Sequence, residues 1–404
     1  MSTIPNMKTQ IAIFGGGVAG LWLLNRLRQL NIDCVLIENN QLGSGQTIYS
    51  QGIIHSGVKY ALTGKLTVSA EAMKAMPDLW RKCLDGEGEI DLSSVAVLSE
   101  HQYLWSPGSL AANLAVFLAS KNLKSQISGL TKSDYPEVFS APDFKGSVYM
   151  LEEPVLAVKT LVEALAAPYL DCLLQAQLQK IEGSHLYLQS AEQEIILEAD
   201  HIVLLAGKGN EALAKQFGLT LPKMQLRPLL MVAVTAPNLP KLFAHAMQAS
   251  DKPRITITTH QDGENSVWYL GGDLAETGVS RTPEEQINFA RKELKTLFPH
   301  IDFSNAQFQA FYIERAEAVY PSGKKPDGPS MIVEKNVITA WPTKLAFAPL
   351  LAQQIIEQLG FAHEKEANTF LSSTHPPVGP LLDKNAFASF LSSTIADYPW
   401  GHHQ

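Results

Sequence analysis

The sequence predicts an α/β protein in two interleaved parts: a parallel-sheet domain assembled from separated segments, and an α+β domain built on an antiparallel sheet. Three observations carry this. Between Ile11 and Glu38 an apolar run, a glycine turn, a helical repeat and a second apolar run follow one another. Further apolar runs recur at Ile202 to Ala206 and Asn336 to Ala340, each followed by helical spacing. Between them lie stretches of period-two alternation, clearest in Arg254-Ile255-Thr256-Ile257-Thr258, which is the pattern of a half-buried antiparallel strand. At ~150 residues per domain, 404 residues leave room for both parts.

The first unit reads strand, tight turn, helix, strand. Ile11 to Phe14 breaks into Gly15-Gly16-Gly17-Val18-Ala19-Gly20, and Leu21, Leu23, Leu24, Leu27 and Leu30 then recur at helical spacing. Cys34 to Ile37 is the second strand, and Glu38 ends it eighteen residues after Gly20. Gly15 permits the turn, Gly17 admits a pyrophosphate to the backbone, and Gly20 lets helix and strand pack closely. The helix N-terminus offers unpaired N–H groups to phosphate, and an acid at Glu38 suits the two hydroxyls of an adenosine ribose while disfavouring the phosphate of NADP.

Composition narrows the partners. Thirty-two Lys and Arg against forty Asp and Glu give a net charge of −8 with no basic block, which argues against nucleic acid and a polybasic membrane anchor. Cys34, Cys83 and Cys172 stand in no C-x-x-C spacing, and the histidines show no metal-ligand spacing, so no metal is expected. Met1 to Gln10 lacks a signal pattern, and the run Ile11 to Leu24 is too short and glycine-broken to span a bilayer. The expectation is a cytoplasmic protein with a small-molecule substrate and no integral membrane segment.

Gly43-Ser44-Gly45-Gln46-Thr47-Ile48-Tyr49-Ser50-Gln51-Gly52-Ile53-Ile54-His55-Ser56-Gly57 follows the acid closely and reads as a loop able to wrap a longer cofactor. Here the chain resembles the D-amino acid oxidase superfamily of FAD enzymes. The form G-Q-T-x-x-S-x-G-x-I-H-S-G is most similar to the L-2-hydroxyglutarate dehydrogenase and glycerol-3-phosphate dehydrogenase branches. Ala199 to Leu213 resembles the family's second cofactor strand, and Arg227-Pro228 its return to the substrate domain. The resemblance implies a Rossmann-like FAD-binding domain of the GR2 type, composed of 1–75, 150–222 and 320–404, with 76–149 and 223–319 forming the substrate domain. FAD is expected to be non-covalent, because no histidine lies between Ser44 and Gln51 where some members attach it.

Cofactor contacts are expected from Gly15, Gly17, Val18, Ala19 and Gly20 at the turn, and from Glu38 and Asn39 at the strand end. The loop would add Gly45, Gln46, Thr47, Ser50, Gln51 and Gly52, and the later segments Leu178, Ala206, Gly207, Lys344, Leu345 and Ala346. In the family the last strand-to-helix junction is glycine-rich and covers the flavin pyrimidine edge. This chain has Trp341-Pro342-Thr343-Lys344-Leu345 there instead, and Lys344 could supply the positive charge a reduced flavin needs.

The implied chemistry needs a proton acceptor, an anion clamp and a carbon held over the flavin. His55, in the loop expected near the flavin, is the candidate base, or else a histidine bonded to the cofactor loop. Arg315 is the candidate clamp for a carboxylate or phosphate, or else an ion-pair partner of Glu314 or Glu317. Lys344 could face flavin, substrate or solvent. His260 and Tyr269 stand near strand ends of the substrate domain and are further substrate-binding candidates, although their strand parity is open. The leading expectation is hydride removal from the α-carbon of a small anionic substrate, foremost a 2-hydroxy acid. The rivals are an amine or amino acid oxidase or dehydrogenase, and an FAD-binding protein without turnover. The electron acceptor, oxygen or quinone, is open. A quinone would require peripheral contact with the inner membrane, for which Phe390-Leu391 and Tyr398-Pro399-Trp400 offer the only apolar tail.

Overall fold

The structure is a computed structural model, and it describes residues 6–57, 72–106, 127–141, 144, 146–191, 193–220, 223–248, 252–319, 328–361 and 395–401. Phe390-Leu391 and the loop at 320–327 lie outside the described residues.

The first sheet runs in the order Ser330–Glu334, Val337–Trp341, Glu194–Leu204, Asn6–Phe14, Cys34–Glu38, Leu173–Gln175. Every neighbouring pair in that path is parallel except the first, which is a hairpin. The hairpin strands Gln177–Glu182 and His185–Gln189 extend it antiparallel from the long Glu194–Leu204 strand. Parallel strands covered on both faces need continuous apolar runs, which is why Ile11 to Phe14 and Cys34 to Ile37 are buried without alternation.

The helix Val18–Gln29 is buried over Val18 to Leu27, so it is a core element rather than an amphipathic surface helix. It packs against helices Ala348–Gln358 and Val158–Ala166, with Leu21, Leu24, Leu351, Ile355 and Leu161 in one cluster. Met76–Leu84 joins the same layer: Trp80 lies 4.7 Å from Trp22, and Trp22 Nε1 donates to Glu89. Segment 76–92 therefore packs with the first sheet, although sequence placed it with the antiparallel one. Cys34, Cys83 and Cys172 are buried free thiols. Burial pushes all three upward, Cys172 to about 12, which suits packing and not reactivity.

The second sheet runs Gln307–Ala318, Met224–Ala236, Asn265–Gly271, Ile255–Asp262, Ala244–Ala246, Gln102–Ser106, Ser147–Leu151, Ile127–Gly129. It is antiparallel except where Ala244–Ala246 meets Gln102–Ser106. Pro283–Leu297 covers it, opened by a capping box in which Thr282 Oγ1 accepts from Glu285 N and Glu285 Oε2 from Thr282 N. Trp268, Leu294 and Phe298 fill the layer between them.

Tyr398 and Trp400 are not an exposed apolar tail. Their rings stack at 4.7 Å, Trp400 sits 4.8 Å from both His260 and Tyr269, and the Tyr398 hydroxyl accepts from Lys159 N. Aromatic area at this sheet face is buried, which sequence could not foresee because the segment reaches it from far along the chain.

Candidate active site

A cavity of about 1570 Å³ lies between the two sheets. On one side it is walled by Phe14, Glu38, Leu205 and Trp341, at or just beyond the carboxyl ends of four parallel strands, where ligands of open α/β sheets bind. Its size exceeds the usual ~300–1,000 Å³ of a small-ligand pocket, so a dinucleotide and a substrate can share it.

The glycine turn is shaped by close approach. A Cβ on Gly20 would stand 1.9 Å from Gly15 O, and one on Gly15, at φ +115°, would stand 2.6 Å from Leu205 C. Gly17 caps the helix Val18–Gln29, whose first turn carries no acidic side chain, leaving that end open to phosphate. Thr47 Oγ1 accepts from Val18 N, and Glu38 accepts from Gly16 N at 2.6 Å and Asn40 N at 2.8 Å. These residues fit FAD: a backbone stripped of side chains where a pyrophosphate would lie, and an acid at the adjoining strand end.

Most expected cofactor contacts are on the cavity wall: Gly15, Gly17, Val18, Ala19, Glu38, Asn39, Gly45, Gln46, Thr47, Ser50, Gln51, Leu178, Ala206, Gly207, Lys344 and Leu345. Gly20, Gly52 and Ala346 are not lining residues and act behind the wall. Gly52, at φ +70°, lets the loop approach Leu156, whose oxygen would be 2.1 Å from an added Cβ. Ala346 is buried, and its carbonyl accepts from Trp80 Nε1.

At the junction where the family's glycines are missing, Thr343 takes a left-handed φ of +61°. The backbone conformation that glycine would adopt freely is thus kept by a β-branched residue. Trp341 Nε1 donates to Gly207 O at 3.0 Å, and Thr343 Oγ1 to Gly328 O. Lys344 lies in the wall with Nζ 3.7 Å from Met73 Sδ and 5.1 Å from the Phe347 ring centroid.

His55 is in the wall, and beside it is a group that sequence reasoning missed. His55 Nδ1 is 3.1 Å from Glu153 Oε2, and Glu153 Oε1 accepts from Ser56 N at 2.8 Å and Ser56 Oγ at 2.7 Å. His245 stacks on His55 with centroids 5.8 Å apart, its Nδ1 2.9 Å from Thr256 Oγ1. Ligand atoms of His55, Glu153 and His245 all lie within 4.8 Å of one another, a spacing a metal could use. Glu153 also accepts from Ser56 through Oε1 and meets His55 through Oε2, so the carboxylate and the imidazole form a hydrogen-bonded pair. No spacing signal marks it, because the three residues come from segments about a hundred positions apart.

Arg315 also lines the cavity. Its guanidinium is 3.7 Å from Glu276, which pairs in turn with Lys252, while Nε donates to Arg227 O. Its acidic neighbours in sequence are engaged elsewhere, Glu314 with Lys208 and Glu317 with Arg227. Strand alternation explains only the first of these, because Glu314 is one residue away and Glu317 two; Glu317 shares the face of Arg315 and is taken by Arg227, the cross-strand neighbour of Arg315.

His260 and Tyr269 do not reach the cavity. Both are fully buried, the Tyr269 hydroxyl donating to Tyr49 O and His260 Nε2 facing Thr258 Oγ1. Burial lowers His260 to about 3 and raises Tyr269 well above its ordinary range. Gln51 brings this face to the site by donating to Tyr269 O and Thr256 O.

Fold and site together define an α/β protein in which a parallel sheet with a dinucleotide-type glycine turn and a largely antiparallel sheet flank one cavity. Comparison with known proteins makes this specific. The FAD dependent oxidoreductase (DAO) family matches residues 10–357. The probable FAD-dependent oxidoreductase PA4991 of Pseudomonas aeruginosa is 46% identical over 358 residues, 87% of this chain and 91% of that protein. The crystal structure of PA4991 superposes with a TM-score of 0.78 at 36% identity, covering 96% of this chain and all of that one. Glycine oxidase from Geobacillus kaustophilus shares the fold at a TM-score of 0.62 and 17% identity, over 88% of this chain and 95% of its own. The chain belongs to the DAO family and is an FAD-dependent oxidoreductase. No described helix is long and apolar enough to cross a membrane.

Proposed function

We propose that this protein oxidises the α-carbon of a small anionic substrate, foremost a 2-hydroxy acid, with His55 as base and Arg315 as anion clamp. The observation that carries the reading is His55 on the cavity wall, backed by the buried Glu153 carboxylate. FAD, when bound, supplies the two-electron acceptor for the hydride. The imidazole accepts the hydroxyl proton, and the guanidinium holds the carboxylate so that the α-carbon is presented in one orientation. Non-covalent cofactor binding belongs to this reading and is checked by release of free FAD on denaturation.

One observation favours a second reading. Glu276 beside Arg315 and Lys252 makes the clamp a mixed-charge patch, and an amino acid could set its carboxylate on Arg315 and its ammonium on Glu276. Anaerobic addition of 2-hydroxy acids, glycerol phosphates and amino acids, followed at the flavin absorption band, separates the two. Bleaching by hydroxy acids alone supports the first. Bleaching by amino acids alone overturns it. A cytoplasmic location is part of the same proposal, and reoxidation by dissolved oxygen against a soluble quinone identifies the acceptor.

A further inference from the structure

Resting on the reading of His55 as base, we infer that Glu153 is its positioning residue. Glu153 holds the proton of neutral His55 on Nδ1, leaves Nε2 as the lone pair for substrate, and supplies the buried counter-charge once that nitrogen is protonated. Glu153 is 1% exposed, whereas the His55 side chain is 16% exposed and lines the cavity, so the carboxylate meets the ring from the buried side. The placement is built into the backbone. Leu156 N donates to Gly52 O and Ile54 N to Pro154 O, each at 2.9 Å, with Ile53 and Val155 bridged between them. This short antiparallel ladder fixes residues 52–56 against 153–156, and Gly52 is what lets them approach.

The chemistry of the carboxylate points to one tautomer. Ser56 N and Ser56 Oγ both donate to Glu153 Oε1, and Oε2 is 3.1 Å from His55 Nδ1. An ionised carboxylate only accepts, so in the proposed arrangement His55 carries its hydrogen on Nδ1. In the reaction His55 Nε2 would take the substrate O–H proton while the O–H electron pair becomes the second bond of the carbonyl, and FAD, when bound, would supply the acceptor for the hydride that leaves the α-carbon. The imidazolium so formed lies beside the Glu153 carboxylate, which stabilises the new charge, with the His245 ring stacked at 5.8 Å.

A Glu153→Gln variant tests this in an unusually direct way. Glutamine has a single acceptor oxygen, and the two Ser56 donors claim it. Its NH₂ group then faces His55 Nδ1, which must become the acceptor, and the ring switches to the Nε2–H form. Nitrogen-15 NMR of histidine-labelled, FAD-loaded protein reads the tautomer without turnover, with His55 assigned by its loss in His55→Gln. The expected result is Nδ1–H in the unmodified protein and Nε2–H in Glu153→Gln, with kcat reduced about 10²–10⁴-fold and KM changed less than about threefold. An Nε2–H tautomer in the unmodified protein overturns the assignment even if the variant does not fold, and so does an unaltered tautomer in the variant. Undiminished turnover in His55→Gln overturns the base reading instead, and the two failures are thereby told apart.

Discussion

Two strand-to-helix crossings open onto the same cavity and solve the same problem differently. The crossing after Phe14 is all glycine, and added Cβ atoms at Gly15 and Gly20 would collide with backbone. The crossing after Trp341 has no glycine at all, yet Thr343 keeps a left-handed φ of +61°. In the first, the limit is contact, and backbone cannot move out of the way. In the second the limit is conformation, whose cost is ~1–2 kcal/mol per residue and can be carried by a well-anchored neighbour. Trp341, held at Gly207 O, is that anchor. A glycine demanded by contact is irreplaceable; one demanded only by dihedral angle is not.

The comparison can be broken most forcefully at Gly20. Gly20→Ala should cost more than about 3 kcal/mol in urea unfolding or prevent FAD retention, since 1.9 Å to Gly15 O leaves no room. If Gly20→Ala keeps both, the contact argument is wrong.

Acid supplies a yardstick of similar size away from both crossings. His260 falls to about 3 in the folded protein against ~6.5 unfolded, so the unfolded chain takes up the proton first. This residue's contribution is intact above pH 6.5 and is lost as pH falls, by ~1.4 kcal/mol per unit, or roughly 3 kcal/mol at pH 4.5. Thermal melts of His260→Gln should show a flatter acid limb than the unmodified protein between pH 6.5 and 4.5.

Trp341→Phe is expected to cost about 2 kcal/mol, from lost packing against Ala316 and Ala318 and the orphaned carbonyl of Gly207. A loss confined to FAD affinity, with no change in stability, would mean the indole serves the cofactor and not the turn. The smallest effect should be Thr343→Gly. Relief of the dihedral cost is offset by the lost Thr343–Gly328 hydrogen bond and a freer unfolded chain, so stability should stay within about 1 kcal/mol.

The same distinction decides what was legible beforehand. Gly15, Gly17, Gly20 and Glu38 announce themselves because their constraints act along one short βαβ unit, so spacing records them. His55 was readable from its loop, but Glu153 and His245 were not. Each is an ordinary residue within its own strand or turn, and only tertiary pairing brings it to His55. Arg315 lines the cavity, while its partner Glu276 arrives from a different element and not from the acids near it in sequence. His260 and Tyr269 show the opposite failure, since strand ends near a site look alike until side-chain parity is fixed.

The loop between Leu42 and Ser56 also fastens one half of the molecule to the other. Gln46 Oε1 accepts from Ala316 N, and Gln51 Nε2 reaches two carbonyls of the second sheet. Both side chains also line the cavity. Heat should therefore not melt the halves separately. Calorimetry should record a single transition, and because a ligand held by the intact fold raises stability as RT ln(1 + [L]/Kd), its temperature should climb with the logarithm of free FAD.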